Sequence, residues 1–253
     1  NSGRFYFIPL FYPTFISMNK GIYLTIFFSL FTFTMVFAQE TGFVSDTLTD
    51  DKYREDQFYL AVTFNLLLNR PEGMEQNGFS GGLHLGYIRD MPINKRRNLA
   101  IGLGAGYSMN TYNQNLLIGD SKTGDTTFEI IDSNRDYDKN WLSTYLVEFP
   151  LQLRWRTSTA KSNAFWRIYT GVQLSYIFAH KSNFQETGNQ IINTDIPELE
   201  RLKYAATFSF GYETFNFYFQ YNLTPFFSAE AKTLDNQSIE INNFKLGLIF
   251  YIL

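Results

Sequence analysis

Few residues in this chain are of the types that carry out chemistry, and the most suggestive group is His180-x-Ser182 with Glu186 a few positions on. A histidine beside a serine can take the hydroxyl proton as the oxygen attacks a carbonyl carbon, and a carboxylate can orient the imidazole. The stretch Lys181-Ser182-Asn183 also reads as an ordinary turn. The second histidine, His84, is distant in sequence, and two histidines with no cysteine are too few for a convincing zinc site. The absence of cysteine also removes disulfides, thiolate ligands and a cysteine nucleophile. Gly102-x-Gly104-x-Gly106 has the spelling of a phosphate loop, but no helix pattern follows it, so small residues in a narrow space explain it better. Asp120, Asp125, Glu129, Asp132, Asp136 and Asp138 are calcium-ligand types without EF-hand spacing, as expected of a solvated loop. With 21 basic against 24 acidic residues the net charge is −3, which argues against a nucleic-acid binder. No cofactor, metal or small-molecule substrate is indicated.

The elements that must carry these residues announce themselves by alternation. In Leu99 to Asn110, Leu99, Ile101, Leu103, Ala105, Tyr107 and Met109 point one way, while Ala100, Gly102, Gly104, Gly106, Ser108 and Asn110 point the other. That two-residue period predicts a strand between two different environments. It recurs in Phe58 to Asn69, Gly78 to Arg89, Trp141 to Arg156, Phe165 to His180, Leu202 to Tyr212, Phe215 to Leu223 and from Phe244 onward. Aromatics make up 19% of the chain, with 27 Phe and 17 Tyr, and those within the alternating segments fall mainly on the apolar face. The opposite face carries Gly, Ser, Asn, Gln, Arg and Lys, too small and polar to coat a stable soluble core. The apolar face must therefore look at lipid. An all-β, transmembrane, antiparallel up-and-down β-barrel of about eight strands follows, with Trp141, Tyr145, Trp155, Trp166 and Tyr251 as interfacial aromatics. His180 shares the lipid-facing parity.

The connections Asp90 to Asn98, Thr157 to Asn163 and Glu213-Thr214 are short; Thr111 to Asn140, Lys181 to Glu200 and Pro225 to Gln237 are longer. Short periplasmic turns and longer extracellular loops place the N-terminus in the periplasm. Upstream of the barrel, Lys20, the apolar run Ile22 to Phe37 and Val36-Phe37-Ala38 read as the parts of a secretory signal peptide starting at Met18. The expected organisation is an untranslated leader at 1–17, a signal peptide at 18–38, a periplasmic segment at 39–56 and an outer-membrane barrel at 57–253.

A barrel of this size has an interior that side chains fill, so free diffusion through it is disfavoured. His84, Glu148, Gln173 and Lys245 point inward at similar depth. They predict a structural polar layer in which Glu148 pairs with Lys245, because an unpaired charge there is costly. A second cluster falls at the periplasmic rim: Arg89, Asp90, Lys95, Arg96 and Arg97 around the first short turn, with Arg154, Arg156, Lys161 and Arg167 around the second. It serves equally as a solvated region near lipid headgroups or as a docking face for an acidic partner.

Gly78-Phe79-Ser80-Gly81-Gly82-Leu83-His84-Leu85-Gly86, running on through Ile88-Arg89-Asp90-Met91-Pro92-Ile93-Asn94-Lys95-Arg96-Arg97-Asn98, resembles the signature of the PorT family, called SprT in gliding flavobacteria. Asn65-Leu66-Leu67-Leu68-Asn69 and Glu148-Phe149-Pro150-Leu151-Gln152 resemble the same family. The resemblance implies a small outer-membrane barrel of the Bacteroidota type IX secretion and gliding machinery, in contact with lipid and with other secretion proteins. It implies an accessory or assembly role and no catalytic residues. The His180-x-Ser182 spelling is also similar to that of outer-membrane lipid A deacylases, although the acidic residue lies closer than in that family. A lipid-modifying enzyme and a surface-binding barrel using Thr111 to Asn140 are the competing expectations.

Overall fold

A computed structural model describes residues 56–121, 125–132, 134–157 and 165–252. The leader, signal-peptide and most of the N-terminal segment expected from the sequence, and Lys161 of the rim, lie outside the described residues. Eight long strands form the wall: β1 (Gln57–Leu68), β2 (Gly81–Pro92), β3 (Leu99–Asn113), β6 (Lys139–Arg156), β7 (Trp166–Glu186), β9 (Leu202–Tyr212), β10 (Phe215–Asn222) and β11 (Asn242–Ile252). Each pairs antiparallel with its neighbour in this order, and β1 pairs with β11 from Phe58↔Ile252 to Leu68↔Asn242, which closes the sheet. Closure removes the unpaired edges that would otherwise expose backbone N–H and C=O groups to lipid.

The strands form because their apolar and small or polar residues alternate with the pleat. Phe58, Leu60 and Val62 are exposed on β1, while Gln57, Tyr59, Ala61 and Thr63 between them are buried. The same inversion of the soluble-protein pattern holds around the wall, for example at Phe149, Leu151, Leu153 and Trp155 on β6. Large apolar side chains that face outward in a contiguous band fit hydrocarbon and not water. Trp155, Trp166 and Tyr212 mark the band's edge at the short-turn end, and Trp141 and Tyr145 lie toward the other end. Tyr251, expected among the interfacial aromatics, is a correction. It sits on the inward parity of β11 and is 1% exposed, inside the barrel.

The short turns between β2 and β3, β6 and β7, and β9 and β10 share one end of the barrel, together with the start of β1. The long connections share the other end, and they are built structures. Thr111 to Asn140 contains a hairpin of β4 (Leu116–Asp120) and β5 (Thr126–Ile130), and Lys181 to Glu200 continues β7 and adds β8 (Asn189–Asn193) against it. Leu116, Ile118, Phe128, Ile196, Phe226, Phe227, Ile239 and Ile241 from these connections pack with the inward-facing Leu67, Tyr112, Leu142, Leu146 and Ile177 of the wall. The barrel therefore carries an apolar cap at its long-loop end, with side chains reversed relative to the wall below it.

One irregularity interrupts the wall near this end. Tyr145 pairs with Ala179 but Leu146 pairs with Ile177, so Phe178 is an extra residue in β7. A bulge of one residue exchanges inward and outward parity beyond it. Below it Tyr176 is exposed and Ile177 buried; above it His180, Ser182 and Phe184 are the buried set.

Candidate functional site

Down its axis the lumen divides into four layers, and each expected site residue falls into one of them or outside them. At the short-turn end lies an ionic base. Arg154 and Arg156 on β6, Arg167 on β7 and Asp90 on β2 all occupy inward positions, and Asp90, Arg154 and Arg156 are fully buried. Arg154 Nη1 is 2.9 Å from Asp90 Oδ1, and Arg156 Nη2 is 2.8 Å from Asp90 Oδ2. Arg154 also donates to Gln57 Oε1 and stacks 4.2 Å over the Tyr169 ring. Gly102, opposite Asp90 on β3, is required here, since a Cβ would meet Arg154 Cδ at 2.6 Å. Arg156 Nε donates to the Arg97 carbonyl at 3.1 Å, which ties the first short turn to the base.

The rim expected from the sequence is thus two different things. Asp90, Arg154, Arg156 and Arg167 are not at the surface, because strand parity turns them into the lumen, and their place in an exposed docking face is corrected. Arg89, Lys95 and Arg96 are exposed and Arg97 is half-buried. Arg97 has φ 55°, the left-handed conformation that lets the turn close within a few residues.

Above the base, Tyr59, Tyr169, Tyr218 and Tyr251 pack with Ala61, Ile88 and Ile249. Tyr251 hydrogen-bonds Ser209 at 3.2 Å, and Tyr218 donates to Gln220 at 3.0 Å. Tyr59 fits because β3 offers no side chain there: a Cβ on Gly106 would lie 2.1 Å from the Tyr59 hydroxyl. The glycine run Gly102 to Gly106 therefore serves packing.

The third layer is the polar ring. His84 Nδ1 lies 3.1 Å from Glu148 Oε1 and 3.2 Å from Oε2. Lys245 Nζ donates to Asn110 Oδ1 at 2.7 Å. Asn110 Nδ2 donates to Ser108 at 3.3 Å, and Ser108 hydrogen-bonds Glu148. Thr63 stands between His84 Nε2, at 3.4 Å, and Asn65 Oδ1, at 2.9 Å, while Asn65 Nδ2 reaches back to Asn110 Oδ1 at 3.4 Å. His84, Glu148, Gln173 and Lys245 are all buried, but the expected pairing of Glu148 with Lys245 is corrected. Only β3 separates β2 from β6, and the small Ser108 opposite His84 lets the imidazole reach the carboxylate first. Lys245 joins Glu148 through Asn110 and Ser108. Gln173 donates to Ser175 at 3.3 Å and stands beside the ring. A buried charge held by such a chain of donors and acceptors escapes the desolvation cost that an isolated one would carry.

The fourth layer is the apolar cap, which the strand alternation of the wall does not reveal. Its signal in the sequence is the apolar run Leu116-Leu117-Ile118 and the apolar pair Phe128 and Ile130 flanking Glu129, within a segment expected to be a plain loop. Lys203 fastens the cap to β9: its ammonium donates to the Phe226 carbonyl at 3.2 Å and to that of Pro225, and lies 5.2 Å over the Phe226 ring.

His180 and Ser182 lie under this cap. The Phe178 bulge turns His180 inward, which corrects the expected lipid-facing position. Its Nε2 accepts the Ile196 N–H at 3.2 Å, and the Ser182 hydroxyl is buried with no hydrogen-bond partner among the described residues. The histidine-to-serine contact that acyl attack requires is not formed. Glu186 binds Arg135, with Nη2 2.9 Å from Oε1 and Nε 3.0 Å from Oε2. These two hydrogen bonds hold the Glu186 carboxyl below the usual carboxylate range. The acidic loop residues disperse: Asp120 accepts from Asn193, Asp132 from Asn134, and Glu129 lies 3.5 Å from Arg135. Among the described residues no three His, Cys, Asp or Glu side chains gather as metal ligands would.

No curated protein matches the chain. The family model for an outer membrane protein beta-barrel domain matches residues 37–228, about three quarters of the sequence. Together with a closed eight-stranded wall that is apolar outside and polar within, this match places the protein in the outer membrane, and the chain belongs to the outer membrane protein beta-barrel domain family.

Proposed function

We propose that this barrel is a non-enzymatic, non-conducting accessory or assembly component of the type IX protein secretion and gliding machinery. In this reading the N-terminus and short turns face the periplasm. The observation that carries it is the filled lumen. An ionic base, a tyrosine layer, a polar ring and an apolar cap occupy successive levels, which suits a protein that acts through its outer surfaces and not as a passage. The likeness to PorT and SprT sequences is densest along β2 and the turn after it, where Lys95 and Arg96 are exposed for contact with protein partners. Arg156 holds that turn from inside, so its shape is fixed before any partner arrives.

The test is quantitative mass spectrometry of culture supernatant and periplasm from a strain lacking the gene, beside a complemented control. The proposal requires proteins with type IX signal domains to disappear outside and accumulate inside. Normal export would remove it. Charge reversal of Lys95 and Arg96 to Glu then asks whether the turn contacts partners, read by co-purification.

A second reading, a surface-binding barrel, is favoured by an open depression of about 600 Å³ at the long-loop end, lined by residues that include Glu72, Glu75, Asn115, Asp132, Arg135 and Tyr137. Binding of intact cells to a glycan and peptide array, lost on deletion of the gene, would distinguish it.

A further inference from the structure

Between the tyrosine layer and the polar ring lies a small enclosed space bounded by Tyr59, His84, Glu148, Gln152, Gln173 and Tyr218, among others. Two of its lining residues carry a buried polar atom with no hydrogen-bond partner among the described residues: the Tyr59 hydroxyl and Gln152 Oε1. Both side chains are more than nine-tenths buried, at 6% and 5% exposure. A buried hydroxyl or amide oxygen without a partner is costly, so two of them on residues lining one space call for an occupant.

We propose that this space is a built binding site for a single water molecule, which accepts from the Tyr59 hydroxyl and donates to Gln152 Oε1. Its volume, about 10 Å³, is near the minimum that one water needs. The wall also brings the His84–Glu148 pair, so the site offers the two to four polar partners that hold a buried water. Charge identifies the occupant as neutral. The Glu148 carboxylate is engaged by His84 and, through Ser108 and Asn110, linked to the Lys245 ammonium, which leaves no surplus negative charge for a cation, and a carboxylate in the wall repels an anion. Tyr218 does not compete, because its hydroxyl is donated to Gln220. Gly86 and Gly106 fix the site's position by admitting the Tyr59 ring, whose hydroxyl would lie 2.6 Å and 2.1 Å from a Cβ at those positions. The water extends the hydrogen-bonded ring to the tyrosine layer. Without it, Tyr59 and Gln152 would be dead ends.

A high-resolution crystal structure of the barrel in detergent decides the question, paired with magnetic relaxation dispersion of water oxygen on the folded protein. The expected result is one density peak within hydrogen-bonding distance of Tyr59 Oη and Gln152 Oε1. The double variant Tyr59→Phe with Gln152→Leu is expected to lose that peak and about one long-lived water. An empty site in the wild type, a peak that refines as an ion, or re-pairing of both atoms with protein groups overturns the proposal. The wild-type density is decisive even if the variant fails to fold.

Discussion

Replacing Asp90 by Asn removes the anion that two fully buried guanidinium groups face, while leaving its shape nearly unchanged. Arg154 and Arg156 contact separate oxygens of Asp90 at 2.9 and 2.8 Å, with all three side chains at 0% exposure. Breaking a buried ion pair by neutralising one partner costs about 3–5 kcal/mol, because the other charge stays desolvated. Here two cations share the loss, so the upper part of that range is expected. The assay is reversible urea unfolding in lipid vesicles, followed by the fluorescence of Trp141, Trp155 and Trp166. With a urea dependence of roughly 2 kcal/mol per molar, the midpoint falls by about 2 M. Two controls sharpen the test. The triple change of Asp90, Arg154 and Arg156 to Leu removes all three charges and is expected within about 1 kcal/mol of the wild type, since apolar replacement of a whole buried cluster is often neutral. Glu129→Gln, which breaks the half-exposed contact to Arg135, is expected to cost at most about 1 kcal/mol. If Asp90→Asn costs no more than Glu129→Gln, or the triple variant costs as much as the single one, the base does not stabilise the barrel through its paired charges.

Glu148→Ala should destabilise by about 3 kcal/mol in the same assay by stranding His84 and Ser108, whereas Lys245→Met, which strands only one side of Asn110, should cost less; the reverse order would contradict the ring. Gly106→Ala should cost about 1–3 kcal/mol or prevent folding, with partial recovery when combined with Tyr59→Leu, because the added methyl meets the Tyr59 hydroxyl. The Glu186–Arg135 contact beyond the membrane band should be pH-dependent. The folded carboxyl titrates below its unfolded value, so the stabilisation is present above the ordinary carboxylate range and is lost as pH falls through the lowered value. Hydrogen exchange in 134–140 and 184–190 should rise on acidification, and Glu186→Gln should abolish that rise. In planar bilayers the purified barrel should show no stepwise conductance; porin-like steps would refute a filled lumen.

Much of the wall was legible from residue order. A run such as Leu99 to Met109 against Ala100 to Asn110 specifies a strand, its two faces and, through the small residues on one of them, a narrow interior. Strand parity also assigned His84, Glu148, Gln173 and Lys245 to the lumen, since a two-residue period is local and depends on no distant contact. Three things were decided only in the closed barrel. Which carboxylate meets which cation depends on how neighbouring strands align, so Glu148 reached His84 across Ser108 before it could reach Lys245. The inward turn of Asp90, Arg154, Arg156 and Arg167 follows the parity rule, but proximity to short turns suggests a surface, and only the third dimension shows how far down the wall encloses them. The single extra residue at Phe178 leaves no mark on composition. It exchanges the two faces of β7 beyond it and carries His180 from the lipid face to the lumen, because a strand's faces are set by its pairing as much as by its own sequence.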